Sequence, residues 1–271
     1  MSERNGDAPP SAEEATRYQE VNRRGWAQLA QRGCEWTTPF GPEQFARAKE
    51  LLDPQGWLPW DELHRVLCVG SGGGQQGPLF ASLGRSTTVL DLSPEQLRRD
   101  EEVSRRHGLA LELVQRDMLD MTPLHGRGFD LVYQAVSAVY VPDVRRLYGE
   151  VFQVLKPGGY YLVEHWSPLW VQMPEKGEWD GEAYRIIHPL RPGHPVPQTV
   201  WRVGQEDVPV TTWQFTHSMT DLIGGLCEAG FVIHRFAERA TGNLSAAPTS
   251  REHIAAYIPE AFSILARKHP M

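Results

Sequence analysis

A cluster of glycines follows a short apolar run near residue 70, where the sequence reads VLCVGSGGGQQGPLFASLG from Val66 to Gly84. Glycines at the end of a strand make a tight turn with exposed amides and let a ligand approach the backbone closely. The N-terminus of a following helix favours negative charge. The pattern therefore predicts a site for a dinucleotide phosphate or another nucleotide-like cofactor, with a purely structural turn as the alternative.

Two acidic residues end the next two predicted strands. Asp91 in VLDLS comes 21 residues after Gly70, and Asp117 stands in QRDML. In an open α/β sheet Asp91 would lie beside the glycine loop, where a carboxylate can accept hydrogen bonds from both hydroxyls of a ribose. Asp117 stands where a carboxylate can meet an adenine amino group. The glycines and Asp91 alone allow either NAD or S-adenosylmethionine.

Strands and helices that alternate along the chain must position these residues. This alternation predicts a parallel sheet wound on both faces, with right-handed crossovers. The predicted strands are RVLCVG, STTVLDLS, LELVQRD, GFDLVYQAV and YYLVEHW, followed late in the chain by FVIHRFAE and FSILARKH. The predicted helices between them are Gln75–Leu83, Pro94–His107, Val144–Leu155 and one that Ser218 caps.

Three segments lie outside this alternation of strands and helices. Residues 1–15 are polar and are expected to be disordered, whereas residues 16–58 are expected to form an N-terminal helical cap or lid. Residues 166–215 hold five of the nine tryptophans and seven of the 21 prolines. They predict an insertion of irregular or β-hairpin structure, which would serve as a substrate pocket or a dimer arm. The cofactor-binding core is then formed by residues 59–165 and 216–271.

The ordered set of motifs resembles the class I S-adenosylmethionine-dependent methyltransferases. The motifs are the glycine loop, the acid after the second strand, RDM, FDLV, and VLKPGG before the fifth strand. The larger pattern looks like a bacterial subgroup that acts on small molecules. The resemblance implies a doubly wound, Rossmann-like α/β fold with a seven-stranded sheet in the order 3-2-1-4-5-7-6. The last strand would be antiparallel, with a helical cap before the sheet and an insertion after strand 5.

The resemblance also implies S-adenosylmethionine as the cofactor. The glycine loop would line its methionine moiety, Asp91 would take the ribose, and Leu92 would pack on the adenine. The residues expected to bind the cofactor are Tyr18, Gly70, Ser71, Gly72, Gln75, Asp91, Leu92, Gln96, Asp117, Met118, Gln134 and Ala135. Tyr18 would act from a lid helix.

One position departs from the family pattern. The family often has an acid two residues before the first glycine of the loop, and this chain has Cys68 there. That acid usually helps to orient the ammonium group of the cofactor. Gln75 or Gln76 could supply the missing polarity. Cys68 is also the one hint of a non-catalytic binding module.

Methyl transfer is an in-line displacement at a sulfonium, so the enzyme must align the nucleophile with the methyl group at about 3 Å and exclude water. A hydroxyl or thiol acceptor would need a base, and His165 and His217 are the predicted catalytic residues. Aromatic faces can stabilise a sulfonium or an amine. The residues expected to contact the substrate are Tyr140, Trp166, Trp170 and His188. Structural histidines and simple aromatic packing are the alternatives.

The predicted function is therefore methyl transfer to a small molecule, with an aromatic or heterocyclic metabolite favoured. A nicotinamide-dependent oxidoreductase would explain the glycine loop but neither RDM nor VLKPGG. A protein or nucleic-acid methyltransferase commonly carries an Asn/Asp-Pro-Pro-Tyr/Phe motif after the fourth strand, where this chain reads Gln134, Ala135, Val136, Ser137. A binding module without turnover is the remaining alternative.

Composition limits the partners and the compartment. The formal net charge of −7 argues against a broad nucleic-acid surface. Cys34, Cys68 and Cys227 are too far apart for a disulfide scaffold or a zinc site, which suits a reducing compartment. The N-terminal residues carry no apolar h-region, so no secretory signal is expected, and no apolar run approaches the ~20 residues that span a bilayer. A cytoplasmic monomer or homodimer without a metal or a membrane partner is expected.

Overall fold

The computed structural model describes residues 12–175, 177–239 and 241–269. Most of the expected disordered tail, residues 1–11, lies outside the described residues. The first helix begins at Ala12, so residues 12–15 belong to that helix.

The described residues form nine strands and a series of short and long helices. The strands are β1 (Arg65–Val69), β2 (Ser86–Asp91), β3 (Leu111–Gln115), β4 (Phe129–Ala135), β5 (Leu155–Trp166), β6 (His194–Val203), β7 (Glu206–Thr216), β8 (Phe231–Glu238) and β9 (Ala261–Lys268). The α-helices are α1 (Ala12–Gln31), α2 (Pro42–Ala46), α3 (Ala48–Leu52), α4 (Gln76–Ser82), α5 (Pro94–His107), α6 (Val144–Val154), α7 (Pro168–Val171), α8 (Gly225–Glu228) and α9 (Arg251–Ala255). A π-helical turn, Thr220–Gly224, leads into α8.

Seven strands form one sheet in the order β3-β2-β1-β4-β5-β9-β8. The first five pair in parallel, and β9 runs antiparallel to both of its neighbours, β5 and β8. Without the hairpin strands β6 and β7, this is the order 3-2-1-4-5-7-6 with the last strand antiparallel. The predicted fold is therefore confirmed.

Helices cover both faces of the sheet, which is why the central strands read as nearly continuous apolar runs. Alternate residues of β1 enter two separate cores: Leu67 shares one core with Tyr148 of α6, whereas Cys68 shares the other with Phe80 of α4. This alternation continues along β5, where Val163 belongs to the first core and Leu162 to the second. The face on which a residue lies therefore decides which helices it meets.

The insertion after β5 contains α7 and a hairpin of β6 and β7. Helix α1 packs along β7, and Asn22 fixes the two elements together. Its Nδ2 donates to the carbonyl oxygen of Trp213 at 3.0 Å, and its Oδ1 accepts from the Trp213 amide at 2.7 Å. Trp26 of α1 also packs edge-on against Trp201 of β6, with ring centroids 5.2 Å apart. The cap and the hairpin thus form one layer above the carboxyl edge of the sheet.

Candidate active site

A cavity of about 950 Å³ lies between the carboxyl edge of the sheet and the layer formed by α1 and the hairpin. The loops after β1, β2, β3 and β4 line one part of it, and the end of β5 with the hairpin lines the other. Its volume is at the upper end of the ~300–1,000 Å³ typical of small-molecule sites. It has room for a nucleotide-like cofactor and a second small molecule.

The glycine loop forms the floor of this cavity. Gly70 and Gly72 have φ values of 57° and 78°, in the left-handed region that favours glycine. A Cβ atom on Gly70 would lie 2.7 Å from the Cβ of Ser137, and one on Gly72 would lie 2.8 Å from the carbonyl oxygen of Trp36. Ser71 lines the cavity, and its buried Oγ has no hydrogen-bond partner among the described residues. The loop therefore offers a close-fitting backbone and a polar atom to a ligand.

Asp91 ends β2 beside this loop. The Ser93 amide donates to its Oδ1 at 2.8 Å, and the backbone amides of Leu92 and Ser71 also stabilise the carboxylate. Burial outweighs these contacts and raises the pKa of Asp91 to about 6. The group is therefore ionised at neutral pH and can accept two hydrogen bonds from a diol.

Asp117 follows β3 and joins the cavity to helix α1. The Leu119 amide donates to its Oδ1 at 2.7 Å, while the Tyr18 hydroxyl and the Gln19 Nε2 donate to its Oδ2 at 2.7 and 2.5 Å. Burial, and then the nearby carboxylate of Asp117, raises the pKa of Tyr18. The structure thus brings Tyr18 to the acid that sequence reasoning assigned to the adenine.

Every residue expected to bind the cofactor lines the cavity except Gln134. Gln134 lies on the opposite face of β4, where its Oε1 accepts from the Tyr161 hydroxyl at 2.5 Å and its Nε2 donates to Ser137 Oγ at 3.0 Å. Its neighbour Ala135 lines the cavity, because successive residues of a strand point to opposite faces. The assignment of Gln134 to the cofactor is corrected accordingly.

Gln75 lines the cavity, but its Nε2 is engaged elsewhere. It donates to the carbonyl oxygens of Glu35 and Thr38, both at 2.9 Å, and so ties the glycine loop to the segment after α1. Cys68 is fully buried in the core, and burial raises the pKa of its thiol. Gln76 also lines the cavity, and its buried Oε1 has no partner among the described residues. The amide nitrogen of Gln75 is thus engaged by the protein, and Gln76 keeps a buried oxygen without a partner.

Val136 lines the cavity at the end of β4 and has a φ of 59°. A β-branched residue in the left-handed region costs of order 1–3 kcal/mol, and such residues concentrate at functional sites. Its amide donates to the Glu164 carbonyl oxygen at 3.0 Å, which holds the ends of β4 and β5 together.

The structure places neither predicted catalytic histidine at the cavity. His165 is 3% exposed and lies on the α6 side of β5, where its Nε2 is 3.0 Å from the Tyr148 hydroxyl. Burial lowers the pKa of His165 to about 3 and that of His217 to about 4. Both imidazoles are therefore neutral packing groups of the core, and the assignment of a catalytic base to them is corrected.

Of the residues expected to contact the substrate, three line the cavity and one does not. Tyr140, Trp166 and Trp170 line the cavity, with the two tryptophan rings stacked 6.1 Å apart at an interplanar angle of 11°. Tyr140 meets Trp26 edge-on with ring centroids 5.3 Å apart. His188 does not line the cavity, and its carbonyl oxygen accepts from Gln172 on the loop after α7. His188 is thus removed from the expected substrate site.

Sequence reasoning missed four charged residues that line the cavity beside Trp166. They form an alternating chain of ion pairs, called here the Glu–Arg cluster, and they are Glu164, Arg239, Glu260 and Arg251. Arg239 donates to Glu164 Oε1 at 2.5 Å and to Glu260 Oε2 at 3.4 Å. Arg251 pairs through its Nε with the other oxygen of Glu260. The signal for Glu164 was present in VEHW, because Glu164 shares a face of β5 with Trp166 and His165 does not.

The described part of the chain has neither a cluster of metal ligands nor a membrane-spanning helix. No group of three or more His, Cys, Asp or Glu side chains there could hold a metal ion. No helix in the same ranges is long and apolar enough to cross a membrane.

Comparisons with known proteins agree with this geometry. Residues 67–163 match the model of a methyltransferase domain. An uncharacterised methyltransferase of Bacillus subtilis, YbaJ, is 29% identical over 82% of this chain and 90% of its own length. A 24-methylenesterol C-methyltransferase of Oryza sativa is 35% identical over 49% of this chain, but the match spans only 36% of that enzyme.

The fold has solved counterparts. An S-adenosylmethionine-dependent methyltransferase from Mesorhizobium loti superposes with a TM-score of 0.61 at 24% identity, covering 82% of this chain and 99% of the other. The solved structure shows the fold, and the sequence matches, with the glycine loop, Asp91 and the strand order, identify an S-adenosylmethionine-dependent methyltransferase domain, an enzyme that uses this cofactor.

Proposed function

We propose that the enzyme methylates a small molecule with a planar apolar body, such as an aromatic or heterocyclic metabolite. One observation carries the proposal: a single cavity joins the glycine loop and Asp91 to the walls formed by Tyr140, Trp166 and Trp170. A planar acceptor stacks well on such rings. The match to an enzyme named as a 24-methylenesterol C-methyltransferase supports a small-molecule acceptor.

The cavity also favours a small molecule over a macromolecule. Helix α1 and the hairpin cover it from above, and Tyr18 and Trp26 of α1 contribute to its lining. A nucleic acid or a folded protein needs an open, accessible groove. Because the hairpin walls the cavity of its own chain, we assign it to the substrate pocket, and one protomer supplies the whole site.

S-adenosylmethionine supplies an electrophilic methyl group on a positively charged sulfonium. The residues of the chain position the two partners and exclude water, which supplies much of the catalysis in such reactions. The glycine loop and Asp91 would hold the donor, and the aromatic rings would hold the acceptor and favour positive charge nearby. No histidine lies among the described residues that line the cavity. The proposed acceptor is therefore an amine, enol or aromatic carbon that needs no histidine base.

The test begins with S-adenosylhomocysteine, because a ligand that binds the native state raises its melting temperature. Calorimetry then gives the dissociation constant, and a screen of aromatic and heterocyclic metabolites follows formation of S-adenosylhomocysteine from S-adenosylmethionine. We expect tight cofactor binding and turnover with a member of this class. Turnover with RNA or protein and with none of the metabolites would overturn the proposal, as would a shift with NAD alone.

A further inference from the structure

The Glu–Arg cluster lines the cavity beside Trp166, on the wall proposed above for the acceptor, and has no part in the mechanism described above. Glu164 ends β5, Glu260 precedes β9, and Arg239 and Arg251 come from the segment between β8 and β9. Glu260 is 2% exposed, whereas the side chain of Arg251 is 42% exposed. The cluster therefore has a buried acidic centre and a basic group that reaches the cavity.

Arg251 is held in a fixed orientation by three neighbours. Its guanidinium lies over the rings of Trp36 and Trp166, 5.6 and 5.7 Å from their centroids, and its Nε pairs with Glu260. A guanidinium is planar and presents its N–H donors in a rigid fork that matches a carboxylate. The two terminal amino groups make no hydrogen bond or ion pair among the described residues, so these donors are left for a ligand.

The cluster has more hydrogen-bond donors than acceptors. Each guanidinium has five N–H donors, and a carboxylate has only acceptors. Two nitrogens of Arg239 donate to the two carboxylates, and the Nε of Arg251 forms an ion pair with Glu260, whose Oε1 accepts no hydrogen bond among the described residues. The donors that remain unused on the two guanidinium groups outnumber this one acceptor, so the cluster favours a ligand group that accepts hydrogen bonds. Since its formal charges balance, a single negative charge suits it better than a doubly charged phosphate.

We propose that the methyl acceptor carries a carboxylate and that Arg251 binds it with its two terminal amino groups. The aromatic body of the acceptor would lie along Trp166 and Trp170, with its acid group at the Glu–Arg cluster. This proposal rests on the proposed function, which requires only a planar acceptor of any charge. It makes Arg251 a residue that determines substrate specificity.

The experiment measures binding of matched pairs of probes to the protein loaded with S-adenosylhomocysteine. The probes are planar aromatic acids, among them indole-3-acetate and anthranilate, each with its primary amide, and calorimetry gives each dissociation constant. We expect at least one acid to bind about tenfold more tightly than its amide, as befits a charge-assisted bidentate contact. Arg251→Gln should abolish that preference, and Arg251→Lys should retain part of it. Arg185→Gln, which alters an exposed arginine paired with Glu178 outside the cavity, should leave it unchanged.

The outcomes separate this proposal from the one on which it rests. Equal binding of acids and amides, retention of the preference in Arg251→Gln, or no binding of any probe to the loaded protein would each overturn the carboxylate site. Turnover of a neutral acceptor that is unaffected in Arg251→Gln would also overturn it while upholding the proposed function. Failure of S-adenosylhomocysteine itself to bind would instead refute the cofactor site.

Discussion

Asp91 is the residue on which cofactor affinity should depend most. We expect Asp91→Ala to weaken binding of S-adenosylhomocysteine at least tenfold, because two hydrogen bonds to a charged group, worth roughly 1.5–3 kcal/mol each, are lost. Calorimetry at pH 7.5 measures the effect. Glu102→Ala removes a carboxylate that pairs with Arg98, and neither residue lines the cavity, so it serves as the control.

The pKa of Asp91 predicts that cofactor binding depends on pH. Its pKa is raised to about 6, so the carboxylate becomes protonated as the pH falls through 6 and loses acceptor capacity. Cofactor binding by the wild type should weaken between pH 7.5 and 5, and the affinity of Asp91→Ala should change much less. An unchanged affinity in the variant at neutral pH would remove Asp91 from the site.

His165 and His217 show that a residue near the carboxyl edge of the sheet does not necessarily face the cavity. Both stand near the carboxyl edge where catalytic groups gather, and chain position alone favoured them. The two-residue period of β5 separates His165 from its neighbours Glu164 and Trp166 and turns it toward Tyr148. The same period separates Gln134 from Ala135. Side chains alternate between the two faces of a strand. Once Trp166 and Ala135 are placed at the cavity, this alternation in VEHW and YQA excludes their neighbours His165 and Gln134 from it.

His165→Gln tests this correction. We expect the variant to bind S-adenosylhomocysteine with wild-type affinity and to retain kcat within about threefold, since the imidazole does not reach the cavity. Loss of the buried contact with Tyr148 should lower the free energy of unfolding by about 1–3 kcal/mol. His64→Gln, at an exposed position, is the matched control for stability. A large fall in kcat with unchanged stability would restore His165 as a catalytic candidate.

At the scale of elements, helix α1 connects the two ends of the cavity. Tyr18 and Gln19 reach Asp117 at the cofactor end, while Asn22 and Trp26 meet the hairpin and Tyr140 at the acceptor end. The contacts of α1 with the hairpin therefore help to hold Tyr18 and Gln19 at Asp117.

Asn22→Ala should loosen this connection. Asn22 is 4% exposed, and its removal leaves the Trp213 amide and carbonyl without their partner, at a cost of about 1–3 kcal/mol. We expect faster amide hydrogen exchange throughout α1 and several-fold weaker binding of S-adenosylhomocysteine. Arg24→Ala alters a side chain on the same helix that is 70% exposed and should change neither. Unaltered exchange in α1 would show that the hairpin does not hold the helix.

At the scale of the whole molecule, the sheet could be predicted from the sequence and the acceptor end could not. Each βα unit is local, and its apolar strands, glycine loop and strand-end acids lie within a short stretch of chain. The Glu–Arg cluster instead joins residues 164, 239, 251 and 260, which meet only because β9 pairs antiparallel to β5. No periodicity or spacing along the chain reports such a long-range contact.

The pH dependence of stability is also a property of the whole molecule, because the shifted pKa values of four groups in different elements have opposing effects on it. Burial raises the pKa of Asp91 to about 6 and that of Asp100 to about 8, and it lowers those of His165 and His217 to about 3 and 4. Acids whose pKa is raised in the folded state stabilise the fold at low pH, and this contribution is lost as the pH rises to the folded pKa. Histidines whose pKa is lowered in the folded state stabilise the fold above about pH 6.5, and this contribution is lost as the pH falls. Between pH 4 and 6 the two pairs offset each other.

Asp100→Asn should disturb this balance in a defined direction. Asp100 is fully buried, and its Oδ1 accepts from the Gly74 amide at 2.8 Å, a contact that asparagine can keep. Because the folded wild type holds a proton that the unfolded chain releases, the variant should gain about 1.4 kcal/mol over the wild type for each pH unit between 4 and 8. Urea unfolding at pH 5 and 7.5 measures the difference, with the exposed neighbour Glu101→Gln as the control. Parallel profiles for Asp100→Asn and the wild type would mean that Asp100 is ionised in the folded protein, and the glycine loop would then rest on a buried negative charge.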